Sequence, residues 1–424
     1  MERILELFEE LNKCKRGSGF TIEAFNFLRD FCVNAGAKVT TDKAGNILAS
    51  IQTPKICLQS HYDLVALGDQ PPSIVKDGEW LRAKNGTLGA DNGIGVAIML
   101  RLIEERVAGE YLFTNDEEIG LIGANNLSVI PISKEIINLD SEDEGEIIIG
   151  CAGGADYLLT IPFSYEPIDA KRFRAYKIAA KNCEGGHSGV DIHRGIKSAI
   201  DEICRYLFAN EAKLVSFDGG ERLNSIPKNA EAIAFLPIDF SPKDSEFTRI
   251  FPIDAPSQAI KDSQKVLALL TLIPHGVYGF DSGYGVVSRS CNFAIIKTLP
   301  DRLDLTLFAR GNSEYDLKAI NAQITALSKL GDFNFTRLGY YPSWSVEKTP
   351  LADRIFSLMF DQGLKPKIGA IHAGLECGVL KSKSLNAECV SIGMTIRYPH
   401  SFQERVYLPS VERLYSLIKA ILSS

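Results

Sequence analysis

Apolar and polar positions repeat with two different periods in the first part of the chain. Apolar residues recur at helical spacing over about 2–13 and 21–35, and short strand-like runs follow at 38–41 and 47–51. The pattern then predicts a strand over 55–60 that ends at His61, a helix over 91–105, and strands over 110–115 and 135–139. Strands that alternate with helices predict an α/β fold, with a mainly parallel mixed sheet flanked by helices.

The middle of the chain has a different character. Residues 164–333 contain several strand-like runs and two helical stretches, near 195–213 and 315–330, which is typical of an α+β unit. After about 340 the first pattern returns, with a helix over 350–363, a strand over 388–393 and a helix over 410–423. We therefore predict a domain of residues 1–163 and 334–424, interrupted by an inserted α+β domain of residues 164–333.

Composition and charge narrow the classes of function. The 424 residues are 45% hydrophobic and 23% charged, as in an ordinary globular protein. A net charge of −7 argues against nucleic-acid or anionic-membrane partners, which favour a basic surface. No apolar run approaches the ~18 residues of a membrane-spanning helix, and the N-terminus reads as a surface helix rather than a signal peptide. Nine cysteines without paired spacing indicate reduced thiols, so we predict a cytoplasmic protein.

Acidic residues and histidines cluster where predicted strands end. His61, Glu117, Glu118 and Asp140 all follow such strands, and sites in open α/β sheets form beyond the carboxyl ends of strands. Each cluster alone is also compatible with a solvated acidic loop. Together they supply the imidazoles and carboxylates that a site for two metal ions requires, including one carboxylate that bridges both ions. The glycines around Asp91 lack the full spacing of a nucleotide-binding loop, and we interpret them as allowing close packing behind that residue.

The order of the motifs along the chain is also informative. The strings are LQSHYDLV, DGEW, TLGADNGIG, EEIG, LDSEDEGEIIIGCAGG, GGHSG, NSIP, IHAGLECG and VSIG followed by PHS. They run from residue 58 past residue 400 and resemble those of the dinuclear zinc peptidase family that includes glutamate carboxypeptidases and aminoacylases. Within that family, they resemble the aminoacyl-histidine dipeptidase branch, the carnosine-type dipeptidases.

The resemblance implies a role for each matching residue of the metal site. Five residues would be metal ligands: His61 and Asp140 on one ion, Glu118 and His400 on the other, and Asp91 bridging both. Glu117 would be the general base for a water held between the metals, and Asp63 would orient the imidazole or the site. Zinc is the expected metal, with manganese and cobalt as alternatives, because imidazole and carboxylate ligands suit all three.

The resemblance also implies substrate-binding residues in the inserted domain, which would serve as a lid and dimerisation domain. His187 would donate to the oxyanion, Asn224 would contact the substrate amide, and Arg310 would bind a terminal carboxylate. Without the family, His187 reads equally as a structural histidine and Arg310 as the end of a salt-bridged strand. The family pattern favours a homodimer, in which His187 acts either in its own subunit or in the partner subunit. The roles of His372 and Glu376 do not follow from the sequence.

The predicted reaction is hydrolysis of the peptide bond of dipeptides or short peptides, with Xaa-His dipeptides favoured. The same metal site also suits an N-acyl-amino-acid amidohydrolase or a broader di- or tripeptidase. A third possibility is a metal-stabilised peptide-binding protein without activity, whose signature would be a missing base or ligand. Glu117 and all five candidate ligands are present, which favours an enzyme.

Overall fold

The computed structural model describes residues 1–68, 71–254, 256–384 and 387–423. The chain divides into two compact units. The first unit comprises Met1–Cys151, Trp344–Ala370 and Leu375–Ser424, and the second comprises Ala152–Ser343 and Ile371–Gly374. The second unit is therefore longer than the predicted insertion of 164–333.

The helices and strands are named in chain order. Up to residue 151 they are α1 (Glu2–Asn12), α2 (Ile22–Asn34), β1 (Lys38–Thr41), β2 (Ile47–Ile51), β3 (Ile56–His61), β4 (Ile74–Asp77), β5 (Trp80–Ala83), α3 (Ala90–Glu104), β6 (Gly109–Thr114), α4 (Ile122–Asn125), β7 (Glu135–Ser141) and β8 (Glu146–Cys151). The second unit continues with β9 (Gly153–Pro162), β10 (Tyr165–Pro167), β11 (Phe173–Ala180), β12 (Gly186–His187), a 3₁₀ turn (Ile192–Arg194), α5 (Ala199–Ala209), β13 (Lys213–Gly219), β14 (Ser225–Ile226), β15 (Ala230–Pro237), β16 (Thr248–Pro252), β17 (Gln258–Ile260), α6 (Ser263–Leu272), β18 (Gly276–Asp281), β19 (Val286–Thr298), β20 (Arg302–Gly311), α7 (Glu314–Gly331) and β21 (Asn334–Tyr341). The remainder contains α8 (Pro350–Asp361), β22 (Lys367–Ile371), α9 (Glu376–Lys383), β23 (Glu388–Gly393), β24 (Ile396–Arg397), β25 (Arg405–Tyr407) and α10 (Leu408–Ser423).

A mixed sheet forms the centre of the first unit. Its described strands lie in the order β1-β2-β6-β3-β7-β23-β8-β22. The central strands β6, β3, β7 and β23 are parallel, whereas β1 and β2 on one side and β8 on the other pair antiparallel. Helix α3 packs on β3 and β7, and α8 packs on β23 and β8. The predicted α/β class and the sheet flanked by helices are confirmed.

Burial explains why the central strands lack an alternating pattern. Every residue of β3 and β6 is buried, as expected for parallel strands covered on both faces. The parallel direction brings the carboxyl ends of β3, β6 and β7 to one edge of the sheet. The motif residues that follow these strands therefore meet at that edge.

A second sheet organises the second unit. Its described strands lie in the order β16-β11-β15-β13-β19-β20-β9-β21, with β18 paired to β19. Strands β9 and β21 pair with each other and β9 pairs with β20. Both strands lie at or beyond the predicted limits of the insertion, which is why the unit extends from residue 152 to residue 343. Ser198 and Ser313 cap the starts of α5 and α7 by accepting hydrogen bonds from backbone N–H groups.

The prediction of two helical stretches in this region was incomplete. The structure adds α6, over Ser263–Leu272, which packs against α5 and α7. Its sequence, SQKVLALLTL, is a short and largely apolar run, which periodicity alone does not distinguish from a buried strand. None of the helices in the described residues is long and apolar enough to cross a bilayer.

Candidate active site

Asp91 lies between two histidines at the sheet edge of the first unit. It follows Gly89 and Ala90 at the start of α3, where its own backbone is not helical. Oδ1 of Asp91 is 3.1 Å from Nε2 of His61, and Oδ2 is 3.0 Å from Nε2 of His400. The two oxygens of one carboxylate thus face two different imidazoles, which is the arrangement a bridging ligand needs.

The other two predicted carboxylate ligands extend this arrangement on either side. Oδ1 of Asp140 is 3.3 Å from Nε2 of His61, and Oε2 of Glu118 is 2.9 Å from Nε2 of His400. Among the described residues, three sets of three groups have potential ligand atoms within 4.8 Å of one another: His61, Asp91 and Asp140; Asp91, Glu118 and His400; His61, Glu117 and Glu118. The five residues predicted as ligands therefore come together.

This donor set fits divalent cations. Three carboxylates crowd around two imidazoles, and the side chains of Asp91, Glu118 and Asp140 are only 11%, 5% and 8% exposed. Oε1 of Glu118 is buried without a hydrogen-bond partner. Buried carboxylates without partners are costly, and coordination of a dication would offset that cost.

Asp63 connects His61 to the loop that carries Glu117 and Glu118. One of its oxygens is 3.4 Å from Nδ1 of His61 and accepts a hydrogen bond of 3.0 Å from the N–H of Glu117. The other accepts from the N–H of Glu118 at 3.2 Å and from the hydroxyl of Ser18 at 2.8 Å. Burial opposes ionisation of Asp63, but these donors hold its pKa below the usual range. Asp63 is therefore an anion held in a fixed position.

The two neighbouring glutamates bind protons more tightly than usual. Burial raises the pKa of Glu117 well above its usual range, and the negative charges of Glu118 and Asp140 raise it further. Burial and the charge of Asp91 raise the pKa of Glu118 to about 7, although His400 opposes this shift. A carboxyl group with a raised pKa can accept a proton and hold it near neutral pH.

The pKa values of the two histidines are also raised, by the neighbouring carboxylates rather than by burial. Burial would lower the pKa of His400, but its contacts with Asp91 and Glu118 raise it to about 11. Burial would likewise lower the pKa of His61, yet Asp140 raises it well above the usual range. A metal ion that binds these imidazoles would therefore compete with protons.

Glu376 is buried close to His61 and Asp140, a position that the sequence alone does not reveal. Its Oε2 accepts hydrogen bonds from the amide of Gln59 at 2.5 Å and from the hydroxyl of Thr114 at 2.7 Å. The side chain is fully buried, and burial raises its pKa to about 7. The string IHAGLECG was visible in the sequence, but only the fold places Glu376, the first residue of α9, beside Gln59 of β3 and Thr114 of β6.

The substrate-binding residues predicted from the family lie together in the second unit. A Cβ atom built on Gly189 would lie 3.1 Å from Cζ of Arg310 and 3.2 Å from Cε1 of His187. The backbone oxygen of Asn224 accepts a hydrogen bond of 2.8 Å from the N–H of Ser188. Asn224 and Arg310 thus lie beside the GGHSG loop, which carries His187.

Arg310 and His187 have contacts that define their chemistry. The guanidinium of Arg310 stacks on Phe308 and donates to the hydroxyl of Tyr341, while its Nε has no partner. Arg310 is only 4% exposed, and among the described residues no carboxylate forms an ion pair with it. Nδ1 of His187 accepts from the N–H groups of Gly189 and Val190, which places the ring proton of the neutral imidazole on Nε2.

His372 supports the same cluster. Its Nε2 is 2.7 Å from the hydroxyl of Ser290, and its Nδ1 is 2.9 Å from Oδ1 of Asn312. Burial lowers its pKa to about 3, so the ring is neutral. Its backbone oxygen lies 2.8 Å from the position of a Cβ on Gly189, which excludes any side chain there. His372 therefore fixes the short segment Ile371–Gly374 beside the GGHSG loop.

Comparison with known proteins agrees with these observations. No protein-family model matches the chain. The chain is 31% identical to the cytosol non-specific dipeptidase of Escherichia coli, over 91% of this chain and 90% of that protein.

Solved structures give the same result. The crystal structure of aminoacylhistidine dipeptidase from Vibrio alginolyticus matches with a TM-score of 0.82 and 29% identity, over 99% of this chain and 96% of that one. Human carnosine dipeptidase 1 shares the fold at 14% identity, with a TM-score of 0.56 over 99% of this chain and 96% of that one. The chain therefore belongs to the M20 family of metallopeptidases, which are hydrolases of peptide bonds, as its motifs indicate.

Proposed function

We propose that this protein hydrolyses dipeptides with the help of two divalent metal ions. The observation that carries the proposal is the position of Asp91, whose two oxygens face the imidazoles of His61 and His400. A carboxylate with a purely structural role needs only one imidazole as its partner. A carboxylate that faces two candidate sites, each completed by another acidic residue, supports a paired metal centre.

In this proposal His61, Asp91 and Asp140 hold one ion, and Asp91, Glu118 and His400 hold the other. When bound, the ions would polarise the scissile carbonyl and lower the pKa of water. Zinc is the metal we expect, and manganese or cobalt would also suit these ligands.

The chain's own residues then move the protons. Glu117 accepts a proton from the attacking water and passes it to the leaving amine, a task that suits its raised pKa. Asp63 does not exchange protons. It orients His61 and holds the backbone of residues 117 and 118 through the hydrogen bonds described above.

Residues of the second unit would recognise the substrate. Arg310 is a buried cation with an unused donor and no ion-pair partner among the described residues, which suits a free terminal carboxylate. His187 would donate its Nε2 proton to the oxyanion, and Asn224 would contact the substrate amide. We further propose that the second unit acts as lid and dimerisation domain of a homodimer, with His187 serving its own or the partner subunit.

The names of the relatives support a dipeptide substrate and differ on its side chains. One relative is named a non-specific dipeptidase and the other an aminoacylhistidine dipeptidase. We propose Xaa-His dipeptides as the favoured substrates, with broader dipeptides as the alternative. The word cytosol in the first name supports the proposal of a cytoplasmic location.

A panel of substrates tests the proposal. Purified protein supplied with zinc, manganese or cobalt is assayed on Xaa-His, Xaa-Leu, a tripeptide, an N-acetyl-amino acid and an Xaa-His amide. We expect the highest kcat/KM on a dipeptide with a free carboxylate, and a large loss on the amide. Preference for the N-acetyl-amino acid would indicate an amidohydrolase, and binding of dipeptides without any turnover would indicate a peptide-binding protein.

A further inference from the structure

The turn that precedes Asp91 is held from two sides by buried charged side chains. Arg16, on the chain segment after α1, and Glu404, just before β25, are each only 2% exposed. Neither residue is among the predicted ligands or substrate-binding residues. Burial of a charged side chain is costly unless its hydrogen bonds are satisfied, so what each group binds indicates why it is there.

Glu404 holds the N–H groups of the turn. Its Oε2 accepts from the N–H of Gly89 at 2.9 Å and from the hydroxyl of Thr87. Its Oε1 accepts from the N–H of Ala90 at 2.7 Å and from the N–H of Asp91 itself at 3.2 Å. Three consecutive backbone donors therefore point at one carboxylate, four residues after His400 in the sequence.

Arg16 holds the opposite side of the same turn. Its Nη2 donates to the carbonyl of Gly89 at 2.6 Å, and its Nη1 lies 3.2 Å from the carbonyl of Tyr62 and 3.4 Å from that of Asp63. Nε and Nη2 also donate to Oδ1 of Asn12 at 3.0 Å and 2.7 Å. Among the described residues no carboxylate forms an ion pair with Arg16, so its donors bind the side chain of Asn12 and the backbone next to His61 and Asp91.

The glycines of TLGADNGIG make room for this guanidinium. A Cβ on Gly89 would lie 2.2 Å from Nη2 of Arg16, and Gly89 also has a positive φ of 68°. A Cβ on Gly93 would lie 2.7 Å from the same nitrogen. The close packing behind Asp91 that the sequence predicts is therefore packing against Arg16.

We infer that Arg16 and Glu404 are positioning residues for the metal centre, because they lock the Gly89–Asp91 turn to the segments that carry His61 and His400. This inference rests on the proposed metal site. The fork of Arg16 joins the turn to the backbone after His61, and Glu404 joins it to the segment after His400. Together they set where the two oxygens of Asp91 point before any metal ion binds.

A comparison of metal affinity with stability tests this inference. The variants are Arg16→Met and Glu404→Gln, with Arg101→Met as the control, since Arg101 lies in α3 but pairs at the surface with Glu104 and Glu105. The dissociation constant for Zn²⁺ is measured by competition with a chelator. The midpoint of thermal unfolding is measured in excess chelator and in excess Zn²⁺.

We expect Arg16→Met and Glu404→Gln to raise the dissociation constant of at least one of the two ions by about 10–100-fold. Each tenfold rise removes about 1.4 kcal/mol of the stabilisation that bound metal provides, so the metal-dependent rise in the midpoint shrinks. The control should match the wild type in both measurements.

A purely structural role gives a different result. If both variants lose the same stability with chelator as with Zn²⁺ and keep a wild-type dissociation constant, the inference is overturned. If Arg16→Met does not fold, Glu404→Gln decides, because glutamine keeps the volume and one acceptor oxygen. A wild-type protein that binds no metal would instead refute the proposed function.

Discussion

Replacement of Glu117 by glutamine separates catalysis from metal binding and from folding. Glutamine has nearly the same shape but cannot accept the proton of the attacking water. General acid–base catalysis contributes about 10²–10⁴-fold to rate, which corresponds to about 2.7–5.5 kcal/mol of activation free energy. We therefore expect kcat of Glu117→Gln to fall at least ~100-fold, with two metal ions still bound.

The same substitution should not destabilise the protein without metal. Glu117 has a pKa raised well above its usual range by burial and by the charges of Glu118 and Asp140. The folded state thus binds this proton more tightly than the unfolded state, so the contribution of Glu117 to stability falls as pH rises above about 4.3. Glutamine does not titrate, so the variant does not lose stability in this way. Its free energy of unfolding relative to the wild type should therefore increase with pH until the raised pKa of Glu117 is passed.

The assay combines turnover of an Xaa-His dipeptide, metal content and chemical unfolding of the metal-free protein from pH 5 to pH 8. Glu9→Gln, on the exposed side of α1, is the matched control and should behave as the wild type. Near-wild-type kcat in Glu117→Gln would refute the assignment of the base. If the variant loses bound metal together with activity, Glu117 contributes to metal binding rather than to proton transfer.

Three further predictions follow from the geometry. Arg310→Gln should raise KM for dipeptides by at least about 30-fold and leave hydrolysis of a dipeptide amide nearly unchanged. The control Arg337→Gln, at an exposed position, should alter the hydrolysis of neither substrate. Equal losses on the dipeptide and on its amide would argue against carboxylate binding by Arg310. Gly93→Ala should lower the free energy of unfolding in urea by about 1–3 kcal/mol, because its Cβ would crowd Arg16 and Phe8. The control is Gly369→Ala, where a Cβ meets nothing within 4 Å, and it should not show the loss of stability that crowding causes. Metal affinity should rise with pH, because His400, with a pKa of about 11, and Glu118, with a pKa of about 7, must release protons to bind a cation. Calorimetry in two buffers of different ionisation enthalpy would detect this proton release. Metal binding without proton release would contradict a protonated His400 in the metal-free protein.

The fold of the first unit could be predicted largely because its central strands β3 and β6 are buried throughout and helices such as α1 and α8 are amphipathic. Strand β3 and helix α3 occur where the apolar pattern predicts them, within one or two residues. The pattern failed where it was locally ambiguous. Helix α6 is short and apolar enough to pass for a buried strand, and only its packing against α5 and α7 decides its structure.

The limits of the second unit differ from those of the predicted insertion for another reason. Strands β9 and β21 have no local signal that assigns them to one unit or the other. Strand β9 is assigned by pairing with β20, and β21 is assigned by pairing with β9, as in Asn334 with Thr160, which are 334 − 160 = 174 positions apart. Such long-range pairing leaves no trace in a window of ten or fifteen residues.

The candidate site shows the same contrast. His61, Asp91 and Asp140 stand in motifs whose residue types already suggest metal chemistry. Arg16 lies in an ordinary polar stretch, KCKRGSG, where an arginine is normally exposed. Nothing in that stretch indicates that its guanidinium is buried behind Asp91, because the carbonyls it binds come from residues 62, 63 and 89.

The most direct test of the central proposal is a metal titration followed by turnover on one preparation. The protein is stripped with a chelator, zinc is added back in steps, and hydrolysis of an Xaa-His dipeptide is followed at each step. We predict that activity is absent without metal and reaches its maximum when about two ions per chain are bound. Full activity in the stripped protein, or two bound ions without hydrolysis of any dipeptide, would contradict a dinuclear dipeptidase.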